Sequence, residues 1–345
     1  MMSSVYFYFG MGALALLSLT SFTRLIHSRP ITHLLVVLWF AWLGFTDLLL
    51  TLLVPLKLVA PTLVYHASSY LALSVWSYIQ FIFVHCNGAD IEVSGDALPR
   101  LESAIVIANH VSWTDFYMIQ KLAYDSGMLG RCRYFAKQQL RWVPFLGWAL
   151  WAMGFPLLSR NWAKDQRQLD RMFDGIVERG WPTCECNLSL TLRVSDENER
   201  LIKLGMCNFS EGTRFTTQKY EETKLWCQEH DKPLPKHLLY PRTKGFVSTV
   251  QHLRQATHIK AVYDVAIAYQ HGDKFMEAPD MLDSLIMGKI NERHAYRFHA
   301  HVRRFGLNDL PQGDKELAKW LEQRWLEKGE WLAEQKERWA EKKQP

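Results

Sequence analysis

A nearly uncharged N-terminal segment limits what this chain can fold into more than any other feature. Within residues 1–65, the charged side chains are Arg24, Arg29, Asp47 and Lys57. The stretch 5–22 contains none of them and is about long enough for a helix to cross the hydrocarbon core of a bilayer. No basic residue precedes this stretch and no small-residue cleavage site ends it, which argues against a cleaved signal peptide. We therefore expect a first membrane helix over 5–22.

A second apolar stretch covers residues 31–65 and is interrupted by Asp47, Pro55, Lys57 and Pro61. These interruptions are compatible with one tilted span followed by an interfacial piece, or with a hairpin that dips into the bilayer and returns. A buried helical hairpin in the core of a soluble protein is the alternative for both apolar stretches. The scarcity of charges favours the membrane interpretation.

From about Asp90 the pattern becomes that of an α/β domain. Short runs rich in β-branched residues, such as 104–108 and 261–268, are separated by stretches with helical periodicity. This alternation predicts a mixed, largely buried sheet flanked by helices, following the N-terminal membrane helices. The polar segment 192–200 is typical of a loop inserted before the next strand.

The last stretch, 314–343, is predicted to be one helix. Leu317, Leu321, Trp325 and Leu332 fall near one stripe of it, and the other positions are rich in charge of both signs. Acidic residues are too frequent for strong attraction to an anionic bilayer. We therefore expect this helix to pack on the domain or to extend into solvent.

The overall charge and the cysteines exclude several classes of protein. Forty Lys and Arg against thirty-five Asp and Glu leave a net charge of +5, which is too small and too dispersed for a nucleic-acid-binding protein. An anionic membrane or a phosphorylated substrate suits this charge better. Six cysteines without regular spacing do not form a disulfide framework. Cys184 and Cys186 lack the spacing of a zinc site, so we expect no bound metal.

The segment that indicates chemistry is an apolar strand, 105–108, that runs directly into Asn109 and His110. Asp115 follows five positions after the histidine, and on one ideal helix the two side chains would project about 140° apart. A pair therefore requires His110 to lie in the turn before the helix. Ser112 as N-cap and Asp115 as third helical residue would form a capping box. Capping alone is also the alternative explanation for Asp115.

A second polar cluster, 209–214, follows a predicted strand at 204–208. Gly212 permits close approach of the backbone to a ligand, and Arg214 can bind a phosphate through two hydrogen bonds. Glu211 would repel an anion, so we expect it to hold Arg214, a hydroxyl group or the turn itself. A surface turn with an Arg–Glu pair is the alternative.

These two clusters together resemble the signature blocks of the glycerolipid acyltransferase family. The segment 109–115 is similar to the HxxxxD box, and 209–214 is similar to the block with an FPEGTR-like sequence. The segment 154–160, which ends in arginine, resembles the second block, and 239–246 resembles the fourth, proline-containing block. The order and the spacing of all four blocks match the family.

The resemblance extends over residues 88–328. The segments 241–246 and 261–265 are most similar to the eukaryotic branch of lysophosphatidic acid and lysocardiolipin acyltransferases. One position departs from the pattern, because Ser210 stands where the family usually has proline. This change loosens the turn but removes no group that could bind a ligand.

The resemblance implies transfer of a fatty acyl group from acyl-CoA, a co-substrate, to the free hydroxyl of a lysophospholipid. The expected reaction converts lysophosphatidic acid to phosphatidic acid without a metal or a resident cofactor. His110 is expected to be the general base and Asp115 its orienting partner. The resemblance implies six substrate-binding residues: Lys137, Arg160, Glu211, Gly212, Thr213 and Arg214. Among them, Arg214 is the best supported for binding phosphate.

Two other functions stay open at this point. One is a remodelling acyltransferase with lysophosphatidylinositol or lysocardiolipin as acceptor, and the other is a non-catalytic membrane protein that binds lipid. The expected location is the endoplasmic reticulum membrane with the catalytic domain facing the cytosol, and lipid droplets or mitochondria are alternatives. The expected domains are membrane-anchoring helices over 1–80, an acyltransferase domain over 81–310 and a C-terminal helix over 311–345.

Overall fold

The structure of the protein is a computed structural model. It describes residues 28–133, 136–142, 147, 150, 153, 157–158, 173, 184–186, 208–209, 211 and 213–341. Several predictions lie outside these residues: the membrane helix over 5–22, the loop over 192–200, Arg160 and Gly212.

The helices and strands alternate along the chain as the sequence pattern predicts. The described α-helices are α1 (Arg29–Leu53), α2 (Pro61–Gln80), α3 (Asp115–Asp125), α4 (Thr217–Glu229), α5 (Thr243–Leu253), α6 (Met281–Ile286) and α7 (Asp314–Glu341). The described strands are β1 (Ile91–Gly95), β2 (Ser103–Ala108), β3 (Cys132–Arg133), β4 (Ala136–Lys137), β5 (Leu157–Leu158), β6 (Cys184–Cys186), β7 (Asn208–Phe209), β8 (Ile259–His271), β9 (Lys274–Phe275) and β10 (Tyr296–Gly306). The predicted strands over 104–108 and 261–268 are therefore confirmed within β2 and β8.

The main sheet is mixed, with the order β1-β10-β8-β2-β6-β3, while β7 also pairs with β2 and β9 with β8. β8 and β10 form a long antiparallel pair, and β2 runs parallel to β8. Every residue of β2 is buried, because helices cover both faces of the sheet at this central position. The predicted fold class, a mixed and largely buried sheet flanked by helices, is confirmed.

Alternate residues of β2 serve two separate cores. Ala104 and Val106 belong to the cluster that includes apolar side chains of α1, α2 and α3. Ile105 and Ile107 face the opposite way and belong to the cluster that includes α5 and α7. The predicted stripe of the C-terminal helix is fully buried in this second core. Of its two expected states, α7 therefore takes the packed one.

The N-terminal helices form an antiparallel hairpin joined by a 3₁₀ turn, Pro55–Leu58. The indole N–H of Trp39 donates to the Val75 carbonyl at 3.0 Å, and that of Trp42 donates to the Ser74 hydroxyl at 2.9 Å. The predicted apolar stretch ends at Tyr65. In the structure the second helix continues past this residue, through α2 and a π-helical turn, to Cys86. The longer helix can pack on the main sheet and α3 as well as on α1.

Both helices of this hairpin are long and apolar enough to cross a membrane. Only 28% of the most apolar part of α1 is buried inside the protein, whereas a core helix of a soluble protein would be mostly covered. The exposed apolar side chains of α1 include Leu34, Val37, Leu38, Phe40, Phe45, Leu48 and Leu52. An uncovered apolar surface of this size is typical of a site of membrane or protein contact.

Candidate active site

The site begins where β2 ends, at Asn109. The side-chain amide of Asn109 donates to the Ile267 carbonyl at 2.9 Å and accepts from the Ile267 N–H at 2.7 Å. These two bonds continue the parallel ladder between β2 and β8 by one more step through a side chain. The chain is thereby held against β8 at the point where it leaves the sheet, and His110 follows immediately.

His110 and Asp115 form a completely buried pair. The Nδ1 atom of His110 lies 2.6 Å from the Asp115 Oδ2 atom, and both side chains are 0% exposed. The helix α3 begins at Asp115, so His110 lies in the turn before it, as the spacing predicts. The five-residue separation therefore does not prevent the pair from forming.

The predicted capping box is wrong in its details. Thr114 is the N-cap residue of α3 without a side-chain capping bond, and Asp115 is the first helical residue rather than the third. The Ser112 hydroxyl donates instead to the Pro279 carbonyl at 2.9 Å, and the Thr114 hydroxyl donates to the same oxygen at 2.7 Å. The turn that carries His110 is therefore attached to a distant loop, and both hydroxyls have a partner there without local capping.

The Asp115 carboxylate is saturated with donors. Its Oδ2 atom also accepts from the backbone N–H groups of Val111 at 2.7 Å and Ser112 at 3.1 Å. Its Oδ1 atom accepts from the Tyr269 hydroxyl at 2.7 Å. Burial and the charge of Asp115 raise the pKa of Tyr269 well above its ordinary value, so the phenol stays protonated and donates. Asp115 thus stabilises the turn and orients the imidazole at once.

The sequence pattern did not point to Tyr269, because this residue lies within a long apolar strand, 154 positions from Asp115. Its alternation with neighbouring core residues resembles ordinary packing. The phenolic oxygen among apolar side chains was the available signal, because a buried hydroxyl requires a hydrogen-bond partner.

The surroundings of His110 favour a neutral imidazole. Burial lowers its pKa below the ordinary 6.5, the Asp115 carboxylate opposes this effect, and the charges of Arg214 and Lys219 lower the pKa further. With Nδ1 bonded to Asp115, Nε2 is the ring atom that can take a proton from a substrate. A neutral imidazole oriented by a carboxylate is the arrangement of a general base.

The third block of the sequence lies directly against His110. The Phe215 N–H donates to the His110 carbonyl at 2.7 Å, which places Arg214 beside the histidine. The Lys219 ammonium donates to the Thr213 hydroxyl and to the Arg214 carbonyl, the latter at 3.3 Å. Within the described part of the chain, the buried Nε atom of Arg214 meets no acceptor. Two cations and an unsatisfied donor next to His110 suit an anionic group.

Lys219 was missed by sequence reasoning. It lies in the first turn of α4, and its backbone N–H donates to the hydroxyl of Thr216, the N-cap residue. Helical periodicity alone assigns such a lysine to a solvated surface. The informative signal was its closeness to Arg214 in sequence, since the helix start turns the side chain back toward the preceding loop.

Glu211 lies under the site and is only 2% exposed. Its carboxylate accepts from the Trp325 indole N–H at 3.4 Å. Burial raises its pKa to about 8, while the charge of Lys328 and the His110 backbone N–H act in the opposite direction. This placement agrees with the expectation that Glu211 holds the turn, whereas a direct contact of Glu211 with substrate stays a prediction.

Lys137 lies in the short strand β4, opposite Leu158 of β5 in a two-stranded parallel sheet. This pairing brings the backbone of the second block next to that of Lys137. The roles predicted for Lys137, Arg160 and Gly212 in substrate binding stay predictions.

Comparisons with known proteins identify the family of the chain. The family described as Acyltransferase matches residues 90–270, and the family described as Acyltransferase C-terminus matches 290–342. The probable 1-acyl-sn-glycerol-3-phosphate acyltransferase 5 of Arabidopsis thaliana is 29% identical over 72% of this chain and 57% of its own length. The 1-acyl-sn-glycerol-3-phosphate acyltransferase delta of Homo sapiens is 31% identical over 66% of this chain and 51% of its own length.

Among solved structures, the 1-acyl-sn-glycerophosphate (LPA) acyltransferase of Thermotoga maritima matches with a TM-score of 0.41 and 15% identity. That match covers 84% of this chain and 95% of the bacterial one. The chain spans little more than half the length of the two curated relatives. The first family match alone covers more than half of this chain, and it includes His110, Asp115 and Arg214. The chain therefore belongs to the glycerolipid acyltransferase family, in the eukaryotic branch that contains the 1-acyl-sn-glycerol-3-phosphate acyltransferases.

Proposed function

We propose that this chain transfers a fatty acyl group from acyl-CoA to the free hydroxyl of lysophosphatidic acid and forms phosphatidic acid. The observation that carries the proposal is the buried His110–Asp115 pair, whose backbone is hydrogen-bonded to the block that contains Arg214. A general base and a cationic group side by side are what an alcohol acceptor with a phosphate requires. The relatives named above support this acceptor.

The proposed reaction is a single displacement through a tetrahedral intermediate. Nε2 of His110 takes the proton of the acceptor hydroxyl while its oxygen attacks the thioester carbonyl carbon. The intermediate collapses, the C–S bond breaks, and the imidazolium returns the proton to the sulfur of CoA. The Asp115 carboxylate keeps the required tautomer and stabilises the imidazolium between these steps. A positioned base of this kind contributes about 10²- to 10⁴-fold to the rate.

Arg214 and Lys219 would bind the acceptor phosphate. The guanidinium forms two parallel hydrogen bonds to a phosphate, and the ammonium adds a point charge that needs no fixed geometry. Both charges also lower the pKa of His110. A bound phosphate would offset this effect and make the base stronger when the acceptor is present.

The apolar hairpin would keep the enzyme where both substrates reside. Lysophosphatidic acid and the acyl chain of acyl-CoA partition into bilayers, so a membrane-bound enzyme meets them at high local concentration. We place the protein in the endoplasmic reticulum membrane with His110 on the cytosolic side, where acyl-CoA is available. No resident cofactor takes part in the proposed reaction, because the thioester itself supplies the activated acyl group.

The test is acyl transfer by the purified full chain in vesicles, with one labelled acyl-CoA and several acceptors offered separately. Lysophosphatidic acid is expected to give the highest kcat/KM, and His110→Ala to give none. A preference for lysophosphatidylinositol or lysocardiolipin would contradict the acceptor and retain the chemistry. No transfer to any lysolipid would contradict the enzyme and favour a lipid-binding protein.

A further inference from the structure

A buried ionic cluster lies between the C-terminal helix and the sheet, outside the His110–Asp115 pair. The Lys328 ammonium of α7 lies 2.7 Å from the Asp264 carboxylate of β8, and both side chains are 1% exposed. Arg303 of β10 binds the same carboxylate at 2.6 Å. Removing charges from water is costly, and apolar residues in place of the whole cluster would fill the space at a lower cost. The cluster therefore suggests a role for the charge.

The cluster reaches the active site through Glu211. Trp325, one helical turn before Lys328, donates to the Glu211 carboxylate at 3.4 Å. The Lys328 ammonium lies 3.9 Å from the centre of the Trp325 ring. The positive charge of Lys328 lowers the pKa of the Glu211 carboxyl group against the effect of burial. One turn of α7 therefore provides an N–H donor that contacts Glu211 and a cation whose charge acts on the same side chain.

Glu211 in turn contacts the backbone of the general base. The His110 N–H is close enough to the Glu211 carboxylate to lower the pKa of that group, and the His110 carbonyl accepts from the Phe215 N–H at 2.7 Å. The two polar groups of the His110 backbone therefore meet the third block and the residue that follows it, at positions four residues apart. Arg214 lies between these two positions. Any shift of Glu211 would move the base relative to the guanidinium.

We propose that Lys328 is a positioning residue for acyl transfer, which holds the Glu211 carboxylate against the His110 backbone and so fixes His110 relative to Arg214. This inference rests on the proposed function. The charged groups that face Lys328 are Asp264, Arg303 and Glu211. Those that face Glu211 are Lys328 and, with a repulsive effect, Asp115. The C-terminal helix would thereby contribute to catalysis without touching a substrate.

The test is Lys328→Met in the full chain, with Lys319→Met as the matched control, because Lys319 is exposed on the same helix. Lys328→Met is expected to lower kcat about tenfold through loss of the positive charge that acts on Glu211, with an unchanged KM for acyl-CoA. An increase of wild-type kcat as the pH approaches 8, where Glu211 ionises, should shift to higher pH in this variant. Lys319→Met should behave like the wild type.

A double-mutant cycle with Glu211→Gln separates positioning from general destabilisation. If Lys328 acts through Glu211, adding Lys328→Met to Glu211→Gln should change kcat by less than twofold. The increase of kcat near pH 8 should be absent from Glu211→Gln alone. Additive effects of the two substitutions, or an unshifted pH profile in Lys328→Met, would overturn the inference. If Lys328→Met does not fold, an increase of kcat near pH 8 that persists in Glu211→Gln would overturn the inference. An inactive wild type would overturn the proposed function instead.

Discussion

Replacing Asp115 by asparagine tests the geometry of the pair most sharply. The carboxylate accepts four hydrogen bonds: from the His110 ring, the Val111 and Ser112 N–H groups, and the Tyr269 hydroxyl. An asparagine has one accepting oxygen, and its NH₂ group would face donors. If its oxygen remains with the backbone amides, the Tyr269 hydroxyl loses its acceptor. If the side chain flips, the NH₂ group confronts the amides and the imidazole.

The expected effect on the rate follows from the lost orientation of the imidazole. An asparagine no longer enforces the tautomer that leaves Nε2 ready to accept a proton, and it no longer stabilises an imidazolium. We expect kcat to fall about 10³-fold, within the range that general-base catalysis contributes. The loss of charge-assisted bonds in a 0% exposed site should also lower the free energy of unfolding by about 2–4 kcal/mol.

The assay is release of CoA thiol with saturating acyl-CoA and lysophosphatidic acid, together with thermal unfolding of each variant. Tyr269→Phe is the matched control, because it removes one donor from Asp115 and leaves the bond to His110 intact. The control should retain kcat within about tenfold of the wild type. Asp115→Asn with kcat within threefold of the wild type would refute the reasoning, because stabilisation of the turn would then be the whole role of Asp115.

Three further predictions concern the surroundings of the pair. Arg214→Ala should raise the KM for lysophosphatidic acid at least about tenfold with little change in the KM for acyl-CoA, and equal changes for both substrates would contradict a phosphate role. Because Arg214 lowers the pKa of His110, the same variant should also raise the pKa at which kcat/KM falls on the acid side of the pH profile. Folding lowers the pKa of His110 from 6.5, so the contribution of the neutral imidazole to stability is present above pH 6.5 and is lost as the pH falls from 6.5 through the lower pKa of the folded state. Chemical unfolding at pH 7.5 and 5.5 should detect less of this loss in His110→Gln. Asn109→Leu should lower the free energy of unfolding by about 2–4 kcal/mol, because both polar groups of the Ile267 backbone lose their partner; an unchanged melting temperature would contradict this role.

Local patterns were sufficient to predict much of the fold. The continuous apolar run of β2 predicts a strand buried on both faces, and the apolar stripe over 314–343 predicts the buried face of α7. The five-residue spacing from His110 to Asp115 excludes a pair on one helix, so it predicts the turn in between. Each of these predictions depends on residues that are close in sequence, where geometry is restricted to a few arrangements.

The sequence did not reveal the contacts that fasten the site, because they join residues far apart in the chain. Ser112 bonds to the carbonyl of Pro279, 167 positions away, although its spacing from Asp115 matches a capping box. Glu211 meets Trp325 across 114 positions, and nothing in the helical pattern of α7 distinguishes Trp325 from an ordinary core residue. A buried polar group finds the nearest partner in space, and only the folded chain determines which one that is.

The most direct test of the proposed mechanism is acyl transfer to lysophosphatidic acid by the purified full chain and by its His110→Ala variant in the same vesicles. The account predicts labelled phosphatidic acid and equimolar CoA from the wild type. For the variant it predicts a loss of at least about 10²-fold in kcat, with unchanged binding to the vesicles. Transfer by His110→Ala at a rate near that of the wild type would contradict the assignment of His110 as the general base.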